Sequence, residues 1–312
     1  MEKSKYDVII IGAGPGGLTC AMYIARAGLS ALVLERGGPG GQMLTTDLIE
    51  NYPGFPDNVT GTELSEKLVE HAKRWGAEVA YGDVKEFCER GEDNAICVRT
   101  AAGEQLTCRA LVLATGAAPK KIGFKGEEEF VGRGVSYCAL CDGNFYRGRD
   151  VCVVGGGDSA VEEAVYLSNI AKSITVVHRR GQLRAKKVAQ DAAFARDNIT
   201  FVWNTEVKEI FGSQFVEGVR VKNIVSGEAS EIPCDGVFFY VGIVPATGYA
   251  PESIERDELG FFKTDMHMQT SSPGIYAVGD VRRPMGRQVA TAVGDGADAA
   301  IAIQHYLLEY PW

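Results

Sequence analysis

The stretch Asp7-Val8-Ile9-Ile10-Ile11-Gly12-Ala13-Gly14-Pro15-Gly16-Gly17 decides how the rest of the chain is read. Val8 to Ile11 is a short, unbroken apolar run, the pattern of a strand buried on both faces of a parallel sheet. The glycines that follow make a tight turn, and Leu18 to Gly28 reads as a helix. The next apolar run, Ala31-Leu32-Val33-Leu34, ends at Glu35, about twenty residues beyond Gly12. In a strand–turn–helix–strand unit of this kind the glycines admit a pyrophosphate to the helix N-terminus, and the terminal acid accepts ribose hydroxyls. Gly12, Ala13, Gly14, Pro15, Gly16 and Glu35, with Arg36 beside it, are therefore assigned to a bound dinucleotide.

The same unit occurs a second time. Val151 to Val154 leads into Gly155-Gly156-Gly157-Asp158-Ser159-Ala160, a helical run follows, and Ser173 to Val177 forms the next strand. One interval separates both Gly12 from Gly155 and Glu35 from His178, so the two repeats keep register throughout. At the end of the second strand the acid is replaced by His178-Arg179-Arg180, with Arg184 close behind. A carboxylate there would repel a 2′-phosphate, whereas guanidinium groups bind it through charge-assisted hydrogen bonds. Gly155, Gly157, Asp158, Ser159, His178, Arg179, Arg180 and Arg184 thus predict a second nucleotide site that prefers NADP(H). A solvated basic face is the alternative for the arginines, and a surface histidine the alternative for His178.

Composition bounds the remaining classes. The chain has 312 residues, 46% hydrophobic and 23% charged, enough for two domains with separate cores. A net charge of -9, with the one basic cluster confined to residues 179–187, argues against a nucleic-acid partner. With neither a leader pattern before Tyr6 nor an apolar run of spanning length, the expectation is a cytoplasmic protein without a membrane partner. Of the eight cysteines, Cys20, Cys88, Cys97, Cys108, Cys152 and Cys234 stand singly and are expected to pack as small hydrophobes. Cys138-Ala139-Leu140-Cys141 is different: it closes a very small disulfide ring suited to dithiol exchange. A zinc site would want a second Cys or His pair at ligand spacing, and none is present, so no metal is expected.

Between the repeats, residues 37–56 are too rich in Gly and Pro, and too long, for a routine connection, and read as a segment that wraps ligand. Gly41, Gln42 and Asn51 are its candidate contacts. A helix over 61–74 and strands within 78–112 lead to Leu111-Val112-Leu113-Ala114-Thr115-Gly116-Ala117, where Thr115 and Gly116 mark a crossing between domains. The return follows Gly236 to Gly242 and closes at Pro245. Downstream, Gly274 to Asp280 places an acid at a strand tip, where Gly279 and Asp280 face a flavin's ribityl chain or, alternatively, cap a turn. Arg287, Gln288 and Val289 open the last helix beside them.

Taken together, Cys138 to Gly143, the Gly155 to Ala160 loop, His178-Arg179-Arg180 with Arg184, Gly274 to Asp280 and Arg287-Gln288 resemble the low-molecular-weight thioredoxin reductases of bacteria and archaea over essentially the full length. The resemblance implies an α/β fold of two Rossmann-like, three-layer ββα domains, with an NADPH domain at 117–244 inserted into an FAD domain split between 1–116 and 245–312. It implies FAD and NADPH as cofactors, thioredoxin as the protein substrate and a homodimer. It makes Cys141 the flavin-side sulfur and Cys138 the attacking one, with Asp142 as general acid and base or, alternatively, a turn cap. It also implies a swing of the inserted domain about Gly116 and Val244-Pro245. Leu140 stands where the family commonly has threonine, and Lys125 where a proline is frequent. Rival readings keep the cofactors but change the disulfide acceptor, remove the dithiol's role as in a ferredoxin- or flavodoxin-linked NADP oxidoreductase, or make the CxxC a zinc half-site in a binding module.

Overall fold

The computed structural model describes residues 4–45, 48–89, 95–283 and 286–310. The chain forms two compact units, one of Met1–Ala118 with Val244–Trp312 and one of Pro119–Ile243.

In the first unit five parallel strands run in the order Glu78–Tyr81, Ala31–Glu35, Lys5–Ile11, Gln105–Leu113 and Ile275–Ala277. The long strand Gln105–Leu113 branches: its last residues pair with Ile275–Ala277, and its first with Ile96–Thr100, which continues antiparallel to Val84–Cys88. Alternation along the central strands fills two cores. Val8, Ile10, Val33 and Val112 face the helices Pro15–Arg26, Gly61–Arg74 and Val289–Glu309. Ile9, Ile11, Leu32, Leu34, Leu111 and Leu113 face Phe87, Ile96 and Val98 of the antiparallel hairpin, together with Ile254 and Phe262. The layers are therefore helix, parallel sheet and antiparallel sheet. Each fully buried Ile or Leu contributes about 1.5–3 kcal/mol, so this double-sided burial is what the apolar run at Val8 to Ile11 encodes.

The helices Pro15–Arg26 and Val289–Glu309 meet through glycines. A Cβ on Gly296 would lie 2.2 Å from the Gly16 carbonyl oxygen, so the two backbones touch there. Below the helices, Arg109 pairs with Asp7 at 2.9 Å and donates to the Leu307 carbonyl, which fastens the end of the last helix.

The second unit repeats the plan. Its parallel strands run Ile199–Val202, Ser173–Val177, Asp150–Gly155, Gly236–Tyr240 and Val135–Ser136. The helix Asp158–Ser168 covers one face, with Val153, Ile174, Val176 and Phe238 beneath it. On the other face Cys152, Val154, Val177 and Val237 pack against Val207, Ile210, Val219 and Val221 of an antiparallel sheet formed by Thr205–Gly212, Val216–Asn223 and Ala229–Pro233. Among the described residues no helix is long and apolar enough to cross a membrane.

One expectation about the cysteines changes. Cys20, Cys108, Cys152 and Cys234 are buried, but Cys88 is exposed and Cys97 half-buried. A register shift between Val84 and Glu86 alters the phase of that edge strand, so Phe87 faces the core and Cys88 the solvent.

Candidate active site

The two glycine loops are built alike. Gly12 and Gly155 both have positive φ, +107° and +154°, and a Cβ on either would strike a carbonyl oxygen at the end of the neighbouring strand, Ala114 at 2.4 Å and Tyr240 at 2.7 Å. The sequence repeat is thus a repeat of backbone close approach, which only glycine permits. Gly14 and Gly157 are the opposite case. Among the described residues, chain neighbours aside, nothing lies within 4 Å of a Cβ on Gly14, and Gly157 has only the Arg184 guanidinium at 3.9 Å. At these two positions the fold sets no packing demand on the side chain.

In the first unit four loops converge at the carboxyl ends of the parallel strands, the edge where α/β sheets bind ligands. The Gly40 amide bonds the Ala13 carbonyl at 2.8 Å, and the Ala114 and Val278 amides continue the sheet pattern to Ile11 and Leu113. The Glu35 carboxylate accepts from the Ala13 amide at 2.8 Å and the Gly37 amide at 2.9 Å, which holds the first loop in place and leaves carboxylate lone pairs for a ribose. No side chain caps the helix Pro15–Arg26, so its N-terminal amides carry their partial positive charge toward the same space.

The remaining first-unit candidates surround that edge. Gln42, in the turn Gly41–Thr45, donates to the Ala117 carbonyl. Thr115 donates to the Ala246 carbonyl at 2.8 Å, and the Gly116 carbonyl, at φ +68°, accepts from the Ala246 amide at 3.0 Å. Asn51 donates to Gln288 at 2.9 Å, and Gln288 closes a capping box on the last helix, whose first residue Val289 packs beside Met43 and Ile49. The Gly279 amide donates to Asp295 at 3.0 Å. Burial pushes Asp280 up to about 6 against the opposing pull of Arg287, while burial lowers Arg287, whose Nε has no hydrogen-bond partner among the described residues. A half-buried acid and a half-buried guanidinium with a buried Nε, beside a glycine loop, fit the hydroxyls and phosphates of FAD. Arg36 alone stands apart, exposed at the strand end.

The second unit joins a nucleotide loop to the dithiol. Arg184 donates its amide to the Gly156 carbonyl at 2.7 Å, and the Lys186 amide donates to Asp158 Oδ1 at 2.7 Å. These two bonds stitch residues 184–186 to the loop and bring the Arg184 side chain to Gly157. Arg179, Arg180 and Ser159 are exposed, and none of the three arginines forms a salt bridge among the described residues. His178 behaves differently from the arginines. Its imidazole is buried against Gly156 and meets Trp203 edge-on, and burial lowers its pKa. The open Gly157, the uncapped helix Asp158–Ser168 and the unpaired guanidinium groups fit a phosphorylated nucleotide such as NADPH.

Cys138 and Cys141 are joined in a disulfide, with Cα atoms 5.3 Å apart. The strand Val135–Ser136 delivers them to the carboxyl edge of the sheet, where Cys138 caps the short helix Ala139–Asp142 and its sulfur accepts from the Cys141 amide at 3.2 Å. The Ser136 hydroxyl accepts from the Cys138 amide at 3.1 Å and donates to Asp142 Oδ2 at 2.5 Å. Tyr240, at the end of the adjacent strand, accepts from the Ala139 amide at 2.8 Å, and burial with the nearby Glu163 charge raises its phenol above the ordinary range. Glu163 itself is raised to about 7 by burial and by Glu162. Ser136, Tyr240 and Glu163 escaped the motif reading. Before the dithiol, Glu127 accepts from the amides of Ile122, Gly123 and Phe124, and Lys125 pairs with Glu209 at 2.6 Å. Leu140 is exposed.

Two Rossmann-like units, one bearing a disulfide beside its nucleotide loop, define a dinucleotide-dependent disulfide oxidoreductase. The family model for pyridine nucleotide-disulphide oxidoreductases matches residues 6–296, and the chain belongs to that family. Within it, the thioredoxin reductase of Listeria innocua is 50% identical over 309 residues, covering 99% of this chain and 96% of that protein. The thioredoxin reductase of Bacillus subtilis is 49% identical over 309 residues, again 99% and 96% of the two chains. Among solved structures, the thioredoxin reductase from Streptococcus pyogenes matches with a TM-score of 0.92 and 47% identity, covering 99% of this chain and 100% of that one. The enzyme is an oxidoreductase of this family, and its cofactors are FAD and NADPH.

Proposed function

We propose that the protein reduces the disulfide of thioredoxin with NADPH, the electrons passing through FAD and the Cys138–Cys141 couple. The observation that carries this is the disulfide at the sheet edge of the unit whose open glycine loop and unpaired arginines suit NADPH. FAD, when bound, supplies the ring that accepts a hydride from NADPH and returns two electrons to the disulfide. Glu35, the Gly12 to Gly16 loop, Asp280 and Arg287 hold and orient it in the first unit, which makes Met1–Ala118 with Val244–Trp312 the FAD-binding part. The second unit binds NADPH through Gly157 and Arg184, with Arg179 and Arg180 directed to the 2′-phosphate.

Cys141 is the sulfur on the flavin side, and Cys138 attacks the thioredoxin disulfide. That attack forms a bond from Cys138 to one thioredoxin sulfur and expels the other as a thiolate; Cys141 then attacks Cys138, restoring the internal disulfide and releasing reduced thioredoxin. Asp142 gives a proton to the departing thiolate and takes one from the incoming thiol, and the Ser136 hydroxyl fixes its orientation. The second unit reorients about the segments at Gly116 and Val244-Pro245, because one dithiol serves a small cofactor in one half-reaction and a bulky protein in the other. The protein works as a cytoplasmic homodimer, a reading that rests on the family resemblance and is checked by sedimentation and fractionation.

The test is titration of the flavin-loaded enzyme with NADPH and with NADH, followed by oxidised thioredoxin. Bleaching at much lower NADPH than NADH, then reoxidation by thioredoxin, is expected. Bleaching without reoxidation by thioredoxin, or preference for NADH, overturns the reading.

A further inference from the structure

We propose that Cys88 and Cys97 form a second, reversible disulfide, an oxidisable dithiol on the antiparallel hairpin of the first unit and distinct from the Cys138–Cys141 couple. The two residues are direct partners in the antiparallel register of Val84–Cys88 with Ile96–Thr100. Their side chains therefore leave the same face of the hairpin. The Cys97 amide donates to the Cys88 sulfur at 3.3 Å, so that sulfur already lies over its partner residue. Neither cysteine is in a disulfide in this structure.

Directly opposed residues in an antiparallel pair have Cα atoms about 4.5–5.5 Å apart, inside the roughly 4.4–6.8 Å window of a disulfide. Their Cβ atoms, about 4.5–5.5 Å apart in such pairs, must close by up to roughly an ångström or two. The position favours that adjustment: Cys88 is the last residue of its strand, and the register shift between Val84 and Glu86 already twists the edge.

Exposure separates this pair from the other thiols. Cys88 is open to solvent and Cys97 half-buried, whereas Cys20, Cys108 and Cys152 are wholly buried and Cys234 nearly so. Cys152 and Cys234 also adjoin one another, but there the contact with Cys234 and complete burial hold the Cys152 thiol far above its ordinary pKa, which removes the thiolate that oxidation needs.

With hydrogen peroxide as the oxidant, the Cys88 thiolate attacks one peroxide oxygen. An S–O bond forms, the O–O bond breaks, and hydroxide leaves to become water, which gives a sulfenic acid. The Cys97 thiolate then attacks that sulfur, forming the S–S bond and expelling the oxygen as a second water. Two thiols and one peroxide become one disulfide and two waters, and a dithiol reductant reverses the change by exchange. The bond would staple the hairpin beside Glu89, which already accepts from the Ser253 and Ser272 hydroxyls.

The experiment uses full-length, flavin-loaded protein carrying Cys138→Ser and Cys141→Ser, treated with hydrogen peroxide, alkylated, and mapped by non-reducing peptide mass spectrometry. The expected result is a peptide pair linked through Cys88 and Cys97, with two thiols lost from the titre and restored by dithiothreitol. A further Cys88→Ser substitution should abolish the linked pair and leave Cys97 alkylatable. Sulfinic or sulfonic acid on Cys88 with Cys97 still alkylatable overturns the proposal, and so does full alkylation of both after exposure that oxidises free cysteine.

Discussion

The Tyr240 hydroxyl and the Ala139 amide meet at 2.8 Å, which ties one of the two residues between Cys138 and Cys141 to the end of a neighbouring strand. Tyr240 pairs in register with Gly155, the first glycine of the second glycine loop, so one residue bonds the dithiol helix and abuts that loop. Ala139 is fully buried, and its amide relies on that phenol. Tyr240→Phe leaves a buried donor unsatisfied, a loss of about 1–3 kcal/mol. The expected outcome is a lower urea midpoint and faster alkylation of the reduced dithiol, with NADPH affinity unchanged. Unaltered stability and alkylation would show that the hydrogen bond does not hold the helix.

Asp142 is held by Ser136 at 2.5 Å while its backbone ends the helix Ala139–Asp142 that Cys138 caps. As a general acid and base it should contribute about 10²-fold to turnover. Asp142→Asn is expected to slow thioredoxin reduction by that factor and flatten its pH profile, while bleaching of the flavin by NADPH remains fast. A variant that reduces thioredoxin at the parent rate would leave Asp142 with only a capping role.

The Arg184 guanidinium reaches the open space at Gly157, placed there by the bonds from its own amide to Gly156 and from Lys186 to Asp158. A hydrogen bond to a charged group is worth about 1.5–3 kcal/mol, or roughly ten- to a hundred-fold in binding. Arg184→Ala should raise KM for NADPH by that range. If the arginines read the 2′-phosphate, Arg180→Ala should raise KM for NADPH while leaving that for NADH nearly untouched. Equal losses for both nucleotides would confine Arg180 to the rest of the cofactor.

Glu163 is raised from 4.5 to about 7 by burial and by the charge of Glu162. Its folded pKa exceeds its unfolded one, so the folded state favours the protonated acid; that contribution is complete below pH 4.5 and lost as pH rises through about 7. Glu163→Gln should therefore match the parent near pH 4 and exceed it near pH 8, by about 1–2 kcal/mol once the partial exposure of the side chain is allowed for. Thermal midpoints measured across that range check the sign, and a constant difference would remove the linkage.

The paired strand–loop–helix units were legible because their signals are local: apolar runs fix the strands, and glycines fix the turns between them. The fold class followed from repeating that pattern at one interval. The meeting of Ser136 and Tyr240 at the dithiol was not legible, since it depends on Val135–Ser136 lying beside Gly236–Tyr240, a pairing of segments distant in sequence. Ser136 left a faint local signal, a hydroxyl two residues before Cys138. Cys88 departs from expectation for a different reason: the register shift that turns it outward is a property of the pair of strands and leaves no mark in either one.

Gly14 and Gly12 differ in what the fold itself requires of them. The Gly14 backbone, at φ -74° and ψ 178°, is open to any residue, and among the described residues no atom beyond its chain neighbours lies within 4 Å of an added Cβ. Gly12, with φ +107° and a carbonyl oxygen 2.4 Å from its would-be Cβ, is constrained by the chain itself. Gly14→Ala should therefore leave the stability of the flavin-free protein within about 0.5 kcal/mol of the parent, the usual bound for a substitution that touches nothing. If the pyrophosphate of FAD occupies that space, the same methyl group should weaken flavin retention at least tenfold, read as the flavin-to-protein absorbance ratio after dialysis. Gly12→Ala should lower the thermal midpoint even without flavin. A Gly14→Ala protein that keeps its full complement of flavin would place the cofactor's phosphates elsewhere, and Glu35 and Arg287 would then need another account.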